Sequence, residues 1–122
     1  MITPAGFTAM ALALPEVVQL PHFEKTSFRV NKKIFATLDV NHKQAVVKLS
    51  EIDQDVFSVY DISKINPVPN KWGKQGWTIF DLKVVETSIL FDALATSYCN
   101  VAPMRLAALV KKDNMGDQGD FL

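Results

Sequence analysis

Between His22 and Ser50 the chain alternates apolar and polar positions with a period of two, interrupted twice by turn residues. Phe28 and Val30 alternate with Ser27 and Arg29. Ile34, Ala36 and Leu38 alternate with Lys33, Phe35, Thr37 and Asp39, and Ala45, Val47 and Leu49 with Val46 and Lys48. Successive side chains of a strand point to opposite faces, so this pattern predicts three strands. Asn31 and Lys32 turn the first into the second, and Asn41, His42 and Lys43 turn the second into the third. One face is apolar. The other mixes Arg29, Lys33 and Lys48 with Phe35, Thr37 and Val46, as expected of an antiparallel sheet covered on one side and open on the other. Phe35 is the residue that fits this division least well.

Outside that stretch the period lengthens. Phe7, Met10, Ala11 and Leu14 form one helical stripe, with Thr3 placed to cap it, Pro4 suited to its first turn and Pro15 to stop it. Pro15 to Pro21 then reads as an extended connector. Ser50 followed by Asp53 reads as a capping box, and Ile52, Val56, Val59 and Tyr60 as the buried stripe of a second helix. Pro67 and Pro69 delay the next central strand until after Asn70. A glycine-containing loop, KWGKQGW, leads into a strand with Phe80 and Leu82 opposite Trp77, Ile79 and Asp81. From Glu86, Leu90, Ala93, Leu94, Ser97, Tyr98 and Val101 keep helical spacing until Pro103, which starts a short last helix through Met104, Leu106, Leu109 and Val110.

The 122 residues suffice for one core, so residues 1–112 are expected to form a single domain and 113–122 a polar, flexible tail. Basic and acidic residues balance at 13 each, which removes any long-range attraction of the whole molecule to nucleic acid or an anionic membrane. Their distribution is uneven. Lys25, Arg29, Lys32, Lys33, Lys43 and Lys48 face only Glu24 and Asp39 between His22 and Ser50, whereas Glu51, Asp53, Asp55 and Asp61 follow with no basic residue among them. Cys99 is the sole cysteine, as suits a reduced, cytoplasmic protein without an internal disulfide. The apolar N-terminus has no basic leader and is too short to span a bilayer, so neither a signal peptide nor a membrane partner is expected.

The segments LALPEVVQLPHFEKTSFRVNKKIFATL, VVKLS, WGKQGW and SYCNVAPMRLAAL, in this order and at these separations, resemble the bacterial MmcQ/YjbR-like family over nearly the whole chain. The resemblance implies an α+β fold. It would be a two-layer sandwich, an antiparallel sheet with helices on one face, in the order α-β-β-β-α-β-β-α. Members are commonly labelled DNA-binding on structural analogy, and the fold is compared with type III secretion chaperones and frataxin-like proteins; a shared fold does not establish a shared function. Ile89 and Phe91 stand where charged residues are more usual in the family, and Glu86 where Asp or Ser would cap the helix.

Candidate chemistry is sparse. His22, His42 and Cys99 do not supply the ligand set of a zinc site, and no metal or cofactor is expected. Cys99 has no neighbouring base in the sequence, and Asp39 and Asp81 read as charge partners rather than an acid–base pair, so an enzyme is not expected. A nucleic-acid surface would draw on Lys25, Arg29, Lys32, Lys33, Lys48, Lys71, Trp72, Lys74 and Arg105. In that reading Trp72 stacks on bases, although lysines on exposed strands also serve to prevent edge aggregation. His22, Phe35 and Trp77 are candidates for contact with a ligand on the open face, although Trp77 is better suited to plugging the edge of the core. A protein or peptide adaptor is the competing function. Ile89 and Phe91, flanking a satisfied helical stripe, point to homodimerisation.

Overall fold

The computed structural model describes the backbone of residues 1–119, and side chains as far as Lys111. Among the described residues the chain runs α1 (Pro4–Leu12), β1 (Val18–His22), β2 (Lys25–Val30), β3 (Lys33–Asp39), β4 (Gln44–Lys48), α2 (Glu51–Tyr60), β5 (Ile65–Pro67), α3 (Lys71–Lys74), β6 (Trp77–Asp81), α4 (Thr87–Val101) and α5 (Met104–Gly119). The strands form one antiparallel sheet in the order β1-β2-β3-β4-β6-β5. The α+β two-layer architecture is therefore the one expected, with β1 and α3 added to the order that the resemblance implies and α5 standing as the last helix expected after Pro103. The polar tail expected from Asp113 begins as a continuation of α5 to Gly119, and residues 120–122 lie outside the described residues.

Local chemistry accounts for the element ends. The Thr3 hydroxyl accepts from the Gly6 amide at 2.9 Å, and Pro4 occupies the first turn of α1. Asn31 and Lys32 both have positive φ (51° and 68°), the backbone of a tight hairpin turn between β2 and β3. Ser50 Oγ accepts from the Asp53 amide at 3.1 Å and caps α2. The connector after Pro15 is a correction: Val18–His22 is a strand, β1, paired along its length with β2. Its Pro21 lies on the sheet edge, where a missing N–H leaves no ladder bond unmade.

The covered face is a core of Phe28, Ala36, Leu38, Ala45, Val47, Phe80 and Ile65 under Phe7 and Ala11 of α1 and Leu90, Ala93, Leu94 and Tyr98 of α4. Phe7 meets Phe28 edge to face at 5.5 Å. Tyr98 donates its hydroxyl to Pro15 O at 2.6 Å, tying the end of α1 to α4. Phe35 resolves its own ambiguity through a β-bulge. Phe28 pairs with Ala36 but Arg29 with Ile34, so Phe35 is the extra residue in β3. The bulge turns Phe35 into the core beside Tyr98, ring centroids 5.7 Å apart, and Ser97 Oγ donates to its carbonyl at 3.0 Å. Ile34, expected in the core, moves to the open face. Phe35 is thereby excluded as a ligand contact.

α2 is the second correction. Ile52, Val56, Val59 and Tyr60 are exposed, and the helix buries Gln54 and Ser58 instead, with Phe57 half-buried against Phe80. Gln54 explains the orientation. Its Nε2 lies 2.8 Å from Gly73 O, 3.1 Å from Thr78 Oγ1 and 3.2 Å from Trp77 O, so one amide serves the α3 turn and the start of β6. A helix rotated to bury its apolar stripe would leave these acceptors without that donor. On α4, Ile89 packs partly against the core and Phe91 alone is left open, so the pair does not form the joint patch expected of a dimer contact.

Replacing Gln54 with Leu, similar in size but without the donor, should lower the unfolding free energy by about 1–3 kcal/mol. Urea denaturation checks this, and an unchanged midpoint would show that the amide does not hold α2 in place.

Candidate functional site

The open face of the sheet is built from the residues between those of the core. Cross-strand register brings Ser27, Thr37, Val46 and Ile79 into one row, and sets Arg29 beside Ile34 and Lys48 beside Trp77. At one end the sheet is overhung by the β5–α3 segment. Gly73 makes this possible: a Cβ there would lie 1.9 Å from Val68 O, so only glycine lets α3 close on the preceding loop. Gly76, at φ 104°, then turns the chain into β6, its carbonyl accepting from the Leu49 amide at 2.9 Å. Asn70 Oδ1 accepts from the Trp72 amide at 2.9 Å and starts the short helix.

This arrangement leaves a groove of about 450 Å³ on the open face, within the roughly 300–1,000 Å³ of small-molecule clefts. Its floor is Ile34, Thr37 and Val46, its walls are Trp77 and Trp72 with Val68 and Asn70, and His22 and Lys25 close the far side. Trp72 is 49% exposed, so a flat ligand can reach its face. Trp77 is half-buried on this face and is not a core plug. Cations already stand against both indoles: Lys48 Nζ is 5.9 Å from the Trp77 ring centre and Lys71 Nζ 5.5 Å from that of Trp72.

Of the residues singled out from sequence, His22, Lys25, Trp72 and Trp77 thus meet at one groove, with Lys48 and Lys71 on its tryptophans. Arg29 stands on β2 in the same face, its Nε donating to Ser27 Oγ at 2.9 Å. Lys32 and Lys33 sit at the β2–β3 turn, and Lys74 lines a second depression beside Gln54 and Pro69 rather than this one. Arg105 does not join. It lies on α5 and holds Glu16 at 3.0 Å; its guanidinium keeps the Glu16 carboxyl below the usual carboxylate range. Sequence reading missed Ile34, Val68 and Asn70. Ile34 was hidden by the bulge, and the other two belong to a loop whose closure depends on Gly73.

His22 ends β1 with its ring edge-on to Phe23, centroids 4.9 Å apart. Phe23 is 94% exposed at the hairpin tip with φ 58°, a backbone region that bulky residues rarely adopt. At the same end of the sheet Asp39 is occupied with its own turn, accepting from the His42 amide at 3.1 Å and lying 2.8 Å from His42 Nδ1. Burial pushes the Asp39 carboxyl up, but the His42 hydrogen bonds and the nearby His42 and Lys25 charges together hold it below its ordinary value. No group of three or more His, Cys, Asp or Glu side chains suited to a metal ion occurs among the described residues, and no described helix is long and apolar enough to cross a membrane.

The family model YjbR matches residues 12–100. Among solved structures, the chain is similar to the crystal structure of the Deinococcus radiodurans protein DR2400, which carries a DUF419 domain. The two are 20% identical with a TM-score of 0.73, over 83% of this chain and 79% of that one. At that identity the likeness speaks for the fold. None of the curated proteins matches the chain.

Cys99 lies half-buried between α4 and α5, its Sγ 3.8 Å from Ala107 O. Burial pushes its thiol above the ordinary value, only partly offset by Lys111, so less thiolate is present at a given pH and nucleophilic reactivity falls. Iodoacetamide at mildly alkaline pH should therefore label Cys99 more slowly in the folded protein than in urea. Equal rates would contradict this environment.

Proposed function

Because the chain belongs to the YjbR family, a family whose members are commonly labelled DNA-binding, we propose that it is a non-enzymatic, cytoplasmic protein that binds nucleic acid at unpaired bases on its open sheet face. The observation that carries this reading is the groove walled by Trp72 and Trp77, each with a lysine against its ring. Aromatic faces stack on any base, and each such contact is worth about 1–3 kcal/mol. Lys25, Arg29, Lys48 and Lys71 are spaced around the groove to meet the phosphates that connect those bases.

Charge supports a local contact of this kind better than a long duplex footprint. The whole chain is neutral, and Asp39 and Asp81 both pair in register with Gln44 at one end of the open face. A strand would therefore centre on the Trp77 end and reach the carboxylate end only at Lys25, which stands beside Asp39. The helices α1, α2 and α4 carry no basic residue, so none of them is suited to insertion into a major groove.

Fluorescence anisotropy with a labelled oligothymidylate and a duplex of equal length tests the proposal. Single-stranded DNA should bind more tightly. With the four basic residues above on phosphates, the log–log salt slope should be about −3. Trp72→Ala should weaken binding by about tenfold. No binding at tens of micromolar protein, or binding indifferent to salt and to Trp72, would remove nucleic acid as the ligand.

A further inference from the structure

The outward face of α2 is more apolar than the face it buries. Ile52 is 76% exposed, Val56 63%, Val59 84% and Tyr60 60%, and Ile62 just beyond the helix is 64% exposed. These residues fall on one side because positions 52, 56, 59 and 60 follow the helical repeat, while Gln54 and Ser58 lie on the opposite side against β6 and the α3 turn. Scattered apolar side chains on a surface are ordinary, but a contiguous run of this kind marks a contact site. The Gln54 amide prevents the helix from rotating to bury it. The face can be satisfied only from outside.

We propose that this face is the contact between two copies of the chain, packed α2 against α2 in antiparallel fashion about a two-fold axis near Val56. Area favours that occupant: the exposed side chains offer on the order of 600 Å², most of the roughly 800 Å² per partner that a stable interface takes, with the polar rim supplying the rest. Register favours it as well. An isologous contact requires a self-complementary surface, and an axis at Val56 sets Ile52 of one copy against Tyr60 of the other, with Val59 opposite Asp53. Glu51, Asp53 and Asp55 crowd the first half of the helix, and no acidic residue follows until Asp61. The antiparallel arrangement keeps Asp53 and Asp55 of the two copies apart, and Glu51 comes opposite Asp61, whose carboxylate Lys64 already holds at 3.3 Å. A parallel arrangement would stack acid on acid. Phe91, 45% exposed and alone on α4, offers no comparable area.

Sedimentation equilibrium of the full chain at high micromolar concentration tests the contact. The expected mass is twice the 13.6 kDa of one chain. Val59→Glu and Ile52→Lys, at positions whose side chains touch little within one copy, should each return the protein to monomer with unchanged circular dichroism and thermal unfolding, and Phe91→Glu should leave the dimer intact. A wild-type monomer would overturn the proposal and give the face to a different protein. A dimer that survives Val59→Glu and Ile52→Lys, or is broken by Phe91→Glu, would equally overturn it.

Discussion

Much of this molecule hangs on where one side-chain amide is satisfied. Gln54 is nearly buried on α2, and its Nε2 reaches the carbonyls of Gly73 and Trp77 and the hydroxyl of Thr78. A buried polar group left without partners costs far more than a formed hydrogen bond returns, so these contacts fix the rotation of the helix. Two consequences follow on opposite sides of Gln54. Inward, the α3 turn is clamped over the end of the sheet, which holds Trp72 and Trp77 as the walls of the groove. Outward, Ile52, Val56, Val59 and Tyr60 are left facing away from the core.

The second constraint is the bulge in β3. By adding Phe35 between the residues that pair with Phe28 and Arg29, it lets consecutive residues, Phe35 and Ala36, both enter the core. The strict alternation would have placed a phenylalanine in the floor of the open face and isoleucine in the core. The exchange puts the larger ring against Tyr98 and leaves Ile34 to line the groove. Fold and site are thus coupled through one inserted residue, much as they are through one amide.

Most of the architecture was legible because it rests on local periodicity. The alternation from His22 to Ser50, the turns at Asn31 and Asn41, the Ser50 cap and the stripe of α4 all name their own elements. What was not legible depends on partners distant in sequence. β1 carries two polar residues and a proline among its five, and it is a strand only because β2 offers an edge to pair with. α2 has a clear apolar stripe, and nothing within its ten residues tells that the demand for a hydrogen-bond donor at Gly73 and Trp77 would win over burying it. The site was legible in its side-chain types, since His22, Lys25, Trp72 and Trp77 do converge. Its floor was not, because a bulge changes facing without changing composition. Arg105 looked like another phosphate ligand by charge alone, and its commitment to Glu16 requires the segment between α1 and β1 to neighbour α5.

The central claim is that the tryptophan-walled groove on the open sheet face is where this protein meets its ligand. The most direct measurement is a two-dimensional NMR titration of the ¹⁵N-labelled protein with a short oligothymidylate, because its two tryptophans each give an indole N–H signal and both line the groove. The account predicts that both indole signals move together and saturate with the amides of Lys25 and Val46, while those of Phe7 and Leu94 in the helical layer stay in place. Indole signals that remain fixed at saturating oligonucleotide, or shifts confined to the helical layer, would contradict it.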